Sequence, residues 1–297
     1  MFRYNFDGDF LFSNFATVKK TEEHIKIDLN EVIATRLPSY HKWIPRGVIR
    51  LLERAIHQDE LNRELRLNAG KTGPEFCRGV LNDIEIKYNV EGFENMPSKD
   101  NRRHIFVSNH PLGGLDGMIL IDFIHSVYET PLHFIVNDLL SAVKPLEDVF
   151  LPVNKHGRQS RNATIDVDAA LEGDNPVIMF PAGLCSRRRD GKIADLEWNK
   201  MFVNRAIRHQ RNIIPIYFDG RNSSFFYNFA RLRESLGIKF NYEMISLPSE
   251  MFKSRGKTFT LKIGQPIEHQ SLEGGSKAMS TAARLRETVY QLGSKSK

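Results

Sequence analysis

The stretch "HIFVSNHPLGGLDGMILIDFIHSVY", residues 104–128, contains a strand signal, a chain break and a helix signal in direct succession. Residues 104–108 form a short apolar run with branched and aromatic side chains, which is typical of a buried strand. Pro111 and the glycines 113 and 114 disfavour a helix between 110 and 114. The helical pattern begins near Asp116. The stretch therefore predicts a strand, a tight turn and a helix.

Strand signals of the same kind recur along the rest of the chain. They occupy 84–88, 104–108, 132–136, 149–153, 176–180, 213–218 and 258–263, and helical patterns lie between most of them, at 117–128, 160–172, 195–209, 222–236 and 276–292. Strands separated by helices predict an α/β fold with a mixed, mostly parallel sheet flanked by helices on both faces. Residues 1–75 lack a strand signal and end at the breaker "NAGKTGP". We therefore expect an N-terminal helical segment over 1–75 and an α/β domain over 76–297.

The composition indicates which classes of partner and which cellular compartment suit this chain. The 42 Lys and Arg residues exceed the 36 acidic residues by 42 − 36 = 6, a mild excess that suits anionic lipid, acidic carrier proteins, phosphorylated substrates or nucleic acid. With only two cysteines, a disulfide framework is not expected, which favours a reducing, cytosolic compartment. No run of about 20 apolar residues and no leader pattern is present. We expect a peripheral protein at the cytoplasmic face of a membrane.

Residues 43–57, "WIPRGVIRLLERAIH", predict an amphipathic helix. Ile44, Val48, Leu51, Leu52 and Ala55 share one face at 100° per residue, and three arginines share the other. Such a helix either anchors at a membrane interface or packs on the core with a solvated basic face. The residues expected to contact a membrane are Trp43, Ile44, Arg46, Arg50 and Arg54.

The turn at 109–116 carries a pair of side chains suited to proton transfer. His110 follows the strand, and a turn that folds back can bring the Asp116 carboxylate to one ring nitrogen. The carboxylate would then hold the tautomer and stabilise the imidazolium while the other nitrogen takes a proton. Structural alternatives are open at this point, because Asp116 can cap the helix and His110 can be a buried, hydrogen-bonded core residue.

Three later strand signals end in basic stretches. These are "FLPVNKHGRQSRNA" at 150–163, "FPAGLCSRRRDGK" at 180–192 and "IIPIYFDGRNS" at 213–223. Each of these stretches, taken alone, is also explained by a surface loop with solvated charges. Three of them at strand ends of a sheet that also carries a His–Asp pair favour one shared site for an anionic group.

The ordered set "SNHPLGGLDG", "FLPVNKHGR", "FPAGLCS" and "IIPIYFDGRNS" resembles the four sequence blocks of the glycerolipid acyltransferase superfamily. The likeness spans about 84–267 and is strongest to the hemolysin-like branch, which includes O-acyltransferases of ornithine and glycine lipid synthesis. Two departures stand out. Five residues separate His110 from Asp116, one more than is usual, and Ala182 replaces the glutamate of the third block. The loss of that carboxylate argues against lysophosphatidic acid as the acceptor.

The resemblance implies transfer of a fatty acyl group to the hydroxyl of a lyso-lipid, with an aminolipid such as lyso-ornithine or lyso-glycine lipid favoured. His110 would be the general base, Asp116 would orient it, and Asn109 or a backbone N–H near Gly113 and Gly114 would donate to the oxyanion. The donor would be acyl carrier protein or coenzyme A carrying a thioester, with no bound cofactor and no metal. The remaining implied substrate-binding residues are Lys155, Arg158, Arg161, Phe180, Pro181, Gly183, Ser186, Arg187, Arg221 and Asn222.

Several alternatives compete with this interpretation. They are a lysophosphatidic acid acyltransferase of phospholipid synthesis, a membrane-binding relative without turnover, and a lipid-ester hydrolase. The sequence has no Gly-x-Ser-x-Gly elbow, which argues against the hydrolase. Nucleic-acid binding has only the basic balance in its favour. Cys185 is expected to be a small packed side chain rather than a nucleophile, because no base is apparent beside it in the sequence.

Overall fold

The computed structural model describes residues 26–36, 43–137, 143–153, 161–238 and 241–294. The strands are β1 (Lys87–Glu91), β2 (His104–Ser108), β3 (His133–Asn137), β4 (Phe150–Val153), β5 (Val177–Met179), β6 (Arg187–Arg189), β7 (Lys192–Ala194), β8 (Asn212–Asp219) and β9 (Thr258–Ile263). The α-helices are α1 (Leu29–Arg36), α2 (Arg46–Ala55), α3 (Gln58–Leu67), α4 (Gly73–Asp83), α5 (Gly114–Tyr128), α6 (Arg161–Glu172), α7 (Met201–Arg208), α8 (Ser224–Ser235), α9 (Leu247–Phe252) and α10 (Ala278–Ser294).

Seven strands form one mixed sheet in the order β1-β9-β8-β2-β5-β3-β4. All neighbouring pairs are parallel except β8 and β9, which pair antiparallel. The C-terminal ends of β2, β5, β3, β4 and β8 therefore meet at one edge of the sheet, and the loops that follow them lie together there. The predicted α/β fold with a mostly parallel sheet is confirmed.

The central strand β2 shows why both faces of the sheet are covered. All five of its residues are buried, and they alternate between two cores. Phe106 packs with residues of α4 and α5 on one face. Ile105 and Val107 pack with residues of α6, α7 and α10 on the other. A strand without a solvent-facing side chain needs helices on both faces, as the apolar run at 104–108 predicts.

Two predicted elements begin later than the sequence pattern placed them. The strand predicted at 84–88 starts at Lys87, because Ile84 and Ile86 donate backbone N–H groups to carbonyls of α4 and Glu85 takes a left-handed conformation, φ 56°. These residues cap α4 instead of pairing in the sheet. The helix predicted from 195 starts at Met201, because the Asp195 side chain is held by hydrogen bonds to the preceding loop.

The N-terminal part contains only helices and turns in the described ranges 26–36 and 43–75. The apolar side chains Leu29, Ile33, Ile49 and Ile56 form a small core of their own, against which Ile245 packs. Helix α4 runs across the expected boundary at 75, from Gly73 to Asp83, and packs on α5.

Candidate active site

The turn after β2 brings His110 and Asp116 together. His110 Nδ1 lies 3.0 Å from Asp116 Oδ2. The turn between them passes through Gly113, whose φ of 92° and ψ of −108° are accessible to glycine and costly for other residues. A Cβ at Gly113 would also stand 2.8 Å from Leu247 Cδ1. Helix α5 then begins at Gly114 and presents Asp116 from its first turn.

Asp116 is fully buried, and its carboxylate is completely engaged. In addition to the contact with His110, Oδ2 accepts the Leu112 N–H at 2.9 Å and Oδ1 accepts the Gly117 N–H at 2.9 Å. The Leu112 bond ties the turn to the carboxylate, so the same oxygen fixes the backbone and the imidazole. Such a carboxylate is a rigid acceptor for an N–H on Nδ1, which leaves Nε2 as the nitrogen that exchanges protons.

Phe180 holds the His110 imidazole by packing on the face of its ring. The two rings stack with centroids 4.0 Å apart and planes 19° from parallel. Gly117 leaves room for this arrangement, since a Cβ there would stand 3.0 Å from Phe134, on which Phe180 packs edge-on. The His110 side chain stays 14% exposed, so the ring can be reached.

The charge balance around His110 favours its protonated form. Burial by itself lowers the pKa of His110, but the Asp116 carboxylate and the contact with Cys185 outweigh it. The pKa of His110 therefore lies well above its usual value. When neutral His110 takes a proton from a substrate hydroxyl, the imidazolium that forms is therefore stabilised by the Asp116 carboxylate.

Cys185 lies beside this base, contrary to the expectation from the sequence. Its Sγ is 3.8 Å from His110 Nε2. The prediction that the thiol has no neighbouring base was wrong, because the third block folds over the first and the contact joins residues 75 apart in the chain. The thiol is fully buried and packs with Phe226 and Tyr227 of α8, as expected of a small packed side chain.

Asp195 supports the turn from behind and was missed by sequence reasoning. Its Oδ1 accepts the His110 N–H at 3.1 Å and the Ser186 hydroxyl at 2.6 Å, and its Oδ2 accepts the Trp198 indole N–H at 3.0 Å. Burial raises the pKa of Asp195, in opposition to these hydrogen bonds. The signal that could have located this loop is Asp190-Gly191, the dipeptide of a tight hairpin, which joins β6 to β7 and leads the chain back to Asp195.

Asn109 and Ser186 are structural residues of the site. The Asn109 side chain donates to Phe218 O at 2.9 Å and accepts from Phe218 N at 2.7 Å, so it joins the ends of β2 and β8. One of the two amide N–H groups of Asn109 is thus engaged in a buried position, and its predicted role as an oxyanion donor stays a prediction. Ser186 is likewise buried, with its hydroxyl on Asp195 and its backbone N–H on His110 O at 2.8 Å.

Arg187 does not offer its charge to a ligand. Its Nη2 lies 2.8 Å from Glu243 Oε1, and the other oxygen of the same carboxylate is 2.9 Å from Arg233 Nε. All three side chains are buried. The prediction of Arg187 as an anion-binding residue was wrong, because a buried carboxylate between two arginines holds it in place. The sequence shows the cation, but the partner lies 56 residues away.

The other predicted residues of the third and fourth blocks lie in the loops that follow β5 and β8. Pro181 is buried, and Gly183 closes a turn by donating its N–H to Phe180 O at 2.9 Å, with a positive φ of 62°. Arg221 is exposed in the loop after β8. Asn222 is buried, and its Nδ2 has no hydrogen-bond partner among the described residues.

The second block is only partly described. Lys155 and Arg158 lie outside the described residues, and Arg161 is the first residue of α6, without a described side chain. Their predicted role in binding stays a prediction.

A cavity of about 420 Å³ adjoins the loop that supports His110. It lies between the β6–β7 hairpin, the segment 195–198 and α10, and Asp195 and Trp198 form part of its wall. Cations contribute to the lining, and Arg286 donates to Asp195 O at 2.6 Å.

Helix α2 packs differently from its predicted apolar face. Ile49 is buried and Leu52 half-buried, whereas Val48 and Leu51 are exposed, as are Trp43 and the three arginines of the other face. Ile44 is half-buried. Apolar and basic surface of the helix therefore both face solvent.

The described residues contain neither a metal-binding cluster nor a membrane-spanning helix. No group of His, Cys, Asp and Glu side chains within 26–36, 43–137, 143–153, 161–238 and 241–294 is arranged to hold a metal ion. Over the same ranges, no helix has the length and apolar character needed to cross a bilayer.

Comparison with known proteins shows the family of this chain. Residues 31–295 match a family model described as "Acyltransferase". The chain is 42% identical over 275 residues to the lyso-glycine lipid O-acyltransferase of Phocaeicola vulgatus, covering 92% of this chain and 98% of that protein. It is 41% identical over 266 residues to the protein of the same name from Bacteroides thetaiotaomicron, covering 90% and 97%.

Among solved structures, the chain is similar to the 1-acyl-sn-glycerophosphate acyltransferase of Thermotoga maritima. The TM-score is 0.46 and the identity 18%, over 91% of this chain and 95% of that one. The match of the family model over most of the chain, together with the two relatives, shows that this chain belongs to the acyltransferase family.

Proposed function

We propose that this protein transfers a fatty acyl group from an acyl thioester to the hydroxyl of a lyso-lipid, and that lyso-glycine lipid is its acceptor. The observation that carries the proposal is the His110–Asp116 pair, with Nδ1 on a buried carboxylate and a His110 side chain that stays 14% exposed. The names of the two relatives at 41–42% identity support the acceptor. Ala182 in place of the family's glutamate supports an acceptor other than lysophosphatidic acid.

The residues support direct transfer. Neutral His110 takes the proton of the acceptor hydroxyl at Nε2 while the oxygen attacks the thioester carbonyl, and Asp116 stabilises the imidazolium that forms. When the tetrahedral intermediate collapses, the C–S bond breaks and the imidazolium returns the proton to the leaving thiolate. The acceptor gains an ester, the carrier leaves as a thiol, and no bound cofactor or metal takes part.

Stabilisation of the oxyanion falls to the backbone. With the Asn109 amide engaged by Phe218, we propose the N–H groups at Gly113 and Gly114, at the start of the 15-residue helix α5, as the donors. The helix dipole adds favourable potential at that end. A preorganised donor of this kind contributes about 3–4 kcal/mol to the barrier reduction.

The acceptor's anionic group and the membrane surface complete the proposal. Arg221, exposed in the loop after β8, is our candidate cation for the acceptor, with Lys155, Arg158 and Arg161 as further candidates from the second block. We propose that the protein takes its acceptor from the cytoplasmic face of a membrane, with Trp43, Ile44 and the arginines of α2 contacting the interface. The donor is acyl carrier protein or coenzyme A in thioester linkage.

The test is acyl transfer by purified protein, with labelled acyl-CoA and acyl carrier protein as donors and lyso-glycine, lyso-ornithine and lysophosphatidic acid as acceptors. His110→Gln should abolish transfer to lyso-glycine lipid. His125→Gln is the matched control, because His125 lies in the last turn of the same helix that presents Asp116. Equal product from the wild type and His110→Gln would reject the mechanism, and preference for lysophosphatidic acid would reject the acceptor.

A further inference from the structure

Helix α8 has two apolar faces, of which only one is covered. The inner face consists of Phe226, Tyr227 and Ala230, all buried. The outer face carries Phe225, Phe229, Leu232 and Leu236, which follow each other at i, i+4, i+7 and i+11 and so fall on one side of the helix. We call these four residues the outer stripe.

Three of the four residues of the outer stripe are strongly exposed, and Phe229 is half-buried. Phe225 is 60% exposed, Leu232 56% and Leu236 65%, and the ring of Phe229 stacks on that of Phe225 with centroids 5.8 Å apart. Isolated exposed apolar residues are common on soluble proteins. A row of them along three turns of one helix is different, because it forms a continuous apolar surface, which marks an interaction site.

The inner face of α8 lies against the active site. Phe226 and Tyr227 pack on Cys185, and Cys185 Sγ is 3.8 Å from His110 Nε2. The thickness of one helix, about 10 Å, therefore separates the outer stripe from the reacting atoms. A surface that contacts the outer stripe lies within reach of a lipid that enters the site.

Basic side chains border the outer stripe at two points. Arg231 is exposed on α8 itself, and Lys253 Nζ, which pairs with Glu250 at 3.0 Å, lies 5.8 Å from the centroid of the Phe225 ring. The one acidic residue of α8, Glu234, lies 3.3 Å from Arg233 and is thereby neutralised. Apolar side chains bordered by cations are complementary to an anionic bilayer, where headgroups meet the lysines and arginines and acyl chains meet the apolar residues.

The N-terminal helices and α8 pack on the same turn. The 3₁₀-helix Tyr242–Ser246 contacts both sides, since Glu243 is bonded to Arg233 of α8 and Ile245 packs on the small core that includes Ile49 of α2. On α2 and just before it, Leu51 is 65% exposed and Trp43 84% exposed. Exposed apolar residues thus flank the same turn from two helices.

We propose that the outer stripe of α8 is a docking surface for an anionic lipid bilayer, and that it delivers the acceptor to the His110 site. This inference rests on the proposed function for the acceptor, but its test measures binding without turnover. A second copy of the chain is the competing occupant of such a surface.

The experiment compares Leu232→Gln/Leu236→Gln with a matched control, Phe93→Gln/Met279→Gln. The control residues are also exposed apolar side chains. Phe93 follows β1, and because β8 and β9 pair antiparallel, β1 ends at the sheet edge opposite to His110. Full-length proteins are sedimented with vesicles of phosphatidylcholine and phosphatidylglycerol, 1:1, and their mass in solution is measured by light scattering.

We expect vesicle partitioning of the stripe variant to fall about tenfold or more, because glutamine does not insert into the apolar part of a bilayer as leucine does. Partitioning of the control variant should stay within about twofold of the wild type. With acceptor dispersed as detergent micelles, both variants should keep the wild-type kcat. Wild-type partitioning of the stripe variant would overturn the proposal. A wild-type dimer that the stripe variant converts to a monomer would also overturn it, because the surface would then belong to a second copy. Vesicle binding without any acyl transfer would instead reject the proposed function alone.

Discussion

Replacement of Asp116 by Asn removes one charge from the site while the shape is kept. In the wild type, Asp116 Oδ2 accepts from both His110 Nδ1 and the Leu112 N–H. An asparagine can keep the bond from the Gly117 N–H through its oxygen, and its NH₂ group then faces the Leu112 N–H, donor against donor. It also presents a donor to His110 Nδ1, which favours the tautomer with the proton on Nε2, where the base must be free.

The expected magnitudes follow from these contacts. Loss of the oriented, carboxylate-stabilised base should lower kcat by about 10²–10⁴. One backbone N–H without a partner in a fully buried position costs about 1–3 kcal/mol of stability. Since the Asp116 carboxylate raises the pKa of His110, the residual activity should also show a lower apparent pKa.

The matched control is Asp122→Asn, six residues further along the same helix. Asp122 is also a buried carboxylate, with Arg78 Nε at 2.8 Å and the Tyr88 hydroxyl at 2.7 Å, but it lies away from His110. The Asp122→Asn variant should lose a similar amount of stability and keep kcat. The stability of both variants is measured by urea unfolding, and their kcat by initial rates of acyl transfer at saturating substrates. Retention of kcat within tenfold in Asp116→Asn, or an equal loss in Asp122→Asn, would refute the role given to Asp116.

Three other expectations concern the same region. Because the neutral imidazole is the base and the pKa of His110 is raised, kcat should increase with pH above 7 and level off only above that pKa; a profile that is flat from pH 6 to 9 would contradict this. For stability the sign is opposite: the His110–Asp116 pair contributes fully below the unfolded-state pKa and loses its contribution as pH rises through the raised folded-state pKa, which urea unfolding against pH will measure. Cys185→Ser should keep kcat within about tenfold, because direct transfer needs no thiol, and intact-mass measurement after incubation with acyl donor alone should detect no acyl adduct; an adduct on Cys185 would replace direct transfer by a covalent route. Glu243→Gln should cost about 3–5 kcal/mol, because two buried arginines lose their shared carboxylate, whereas Glu234→Gln at the surface should change stability by less than about 1 kcal/mol in the same unfolding assay.

Corrections to the predicted site have a common origin in burial. Arg187 and Asn109 carry the functional groups expected of a ligand site, and both are hydrogen-bonded to partners far away in the chain, Glu243 and Phe218. A sequence pattern shows which groups are present near a strand end, but it does not show which of them are already paired. The same applies to Cys185, whose base comes from another block.

The order of the strands and helices and the turn at 109–116 follow from the sequence alone. The apolar run at 104–108, the break at Pro111 and the glycines, and the helical pattern after Asp116 are local signals, and each of them depends on the conformational preferences of neighbouring residues. For this reason the seven strands of the main sheet, most helices and the His110–Asp116 pair were predictable, whereas the β6–β7 hairpin was not predicted.

Only the tertiary structure decided which side chains surround that pair. The stacking of Phe180 on His110, the support from Asp195 and the exposure of the outer stripe of α8 depend on how distant segments pack against each other. Burial and hydrogen bonding are properties of the packed chain, since a group becomes buried or engaged only when segments from elsewhere cover it.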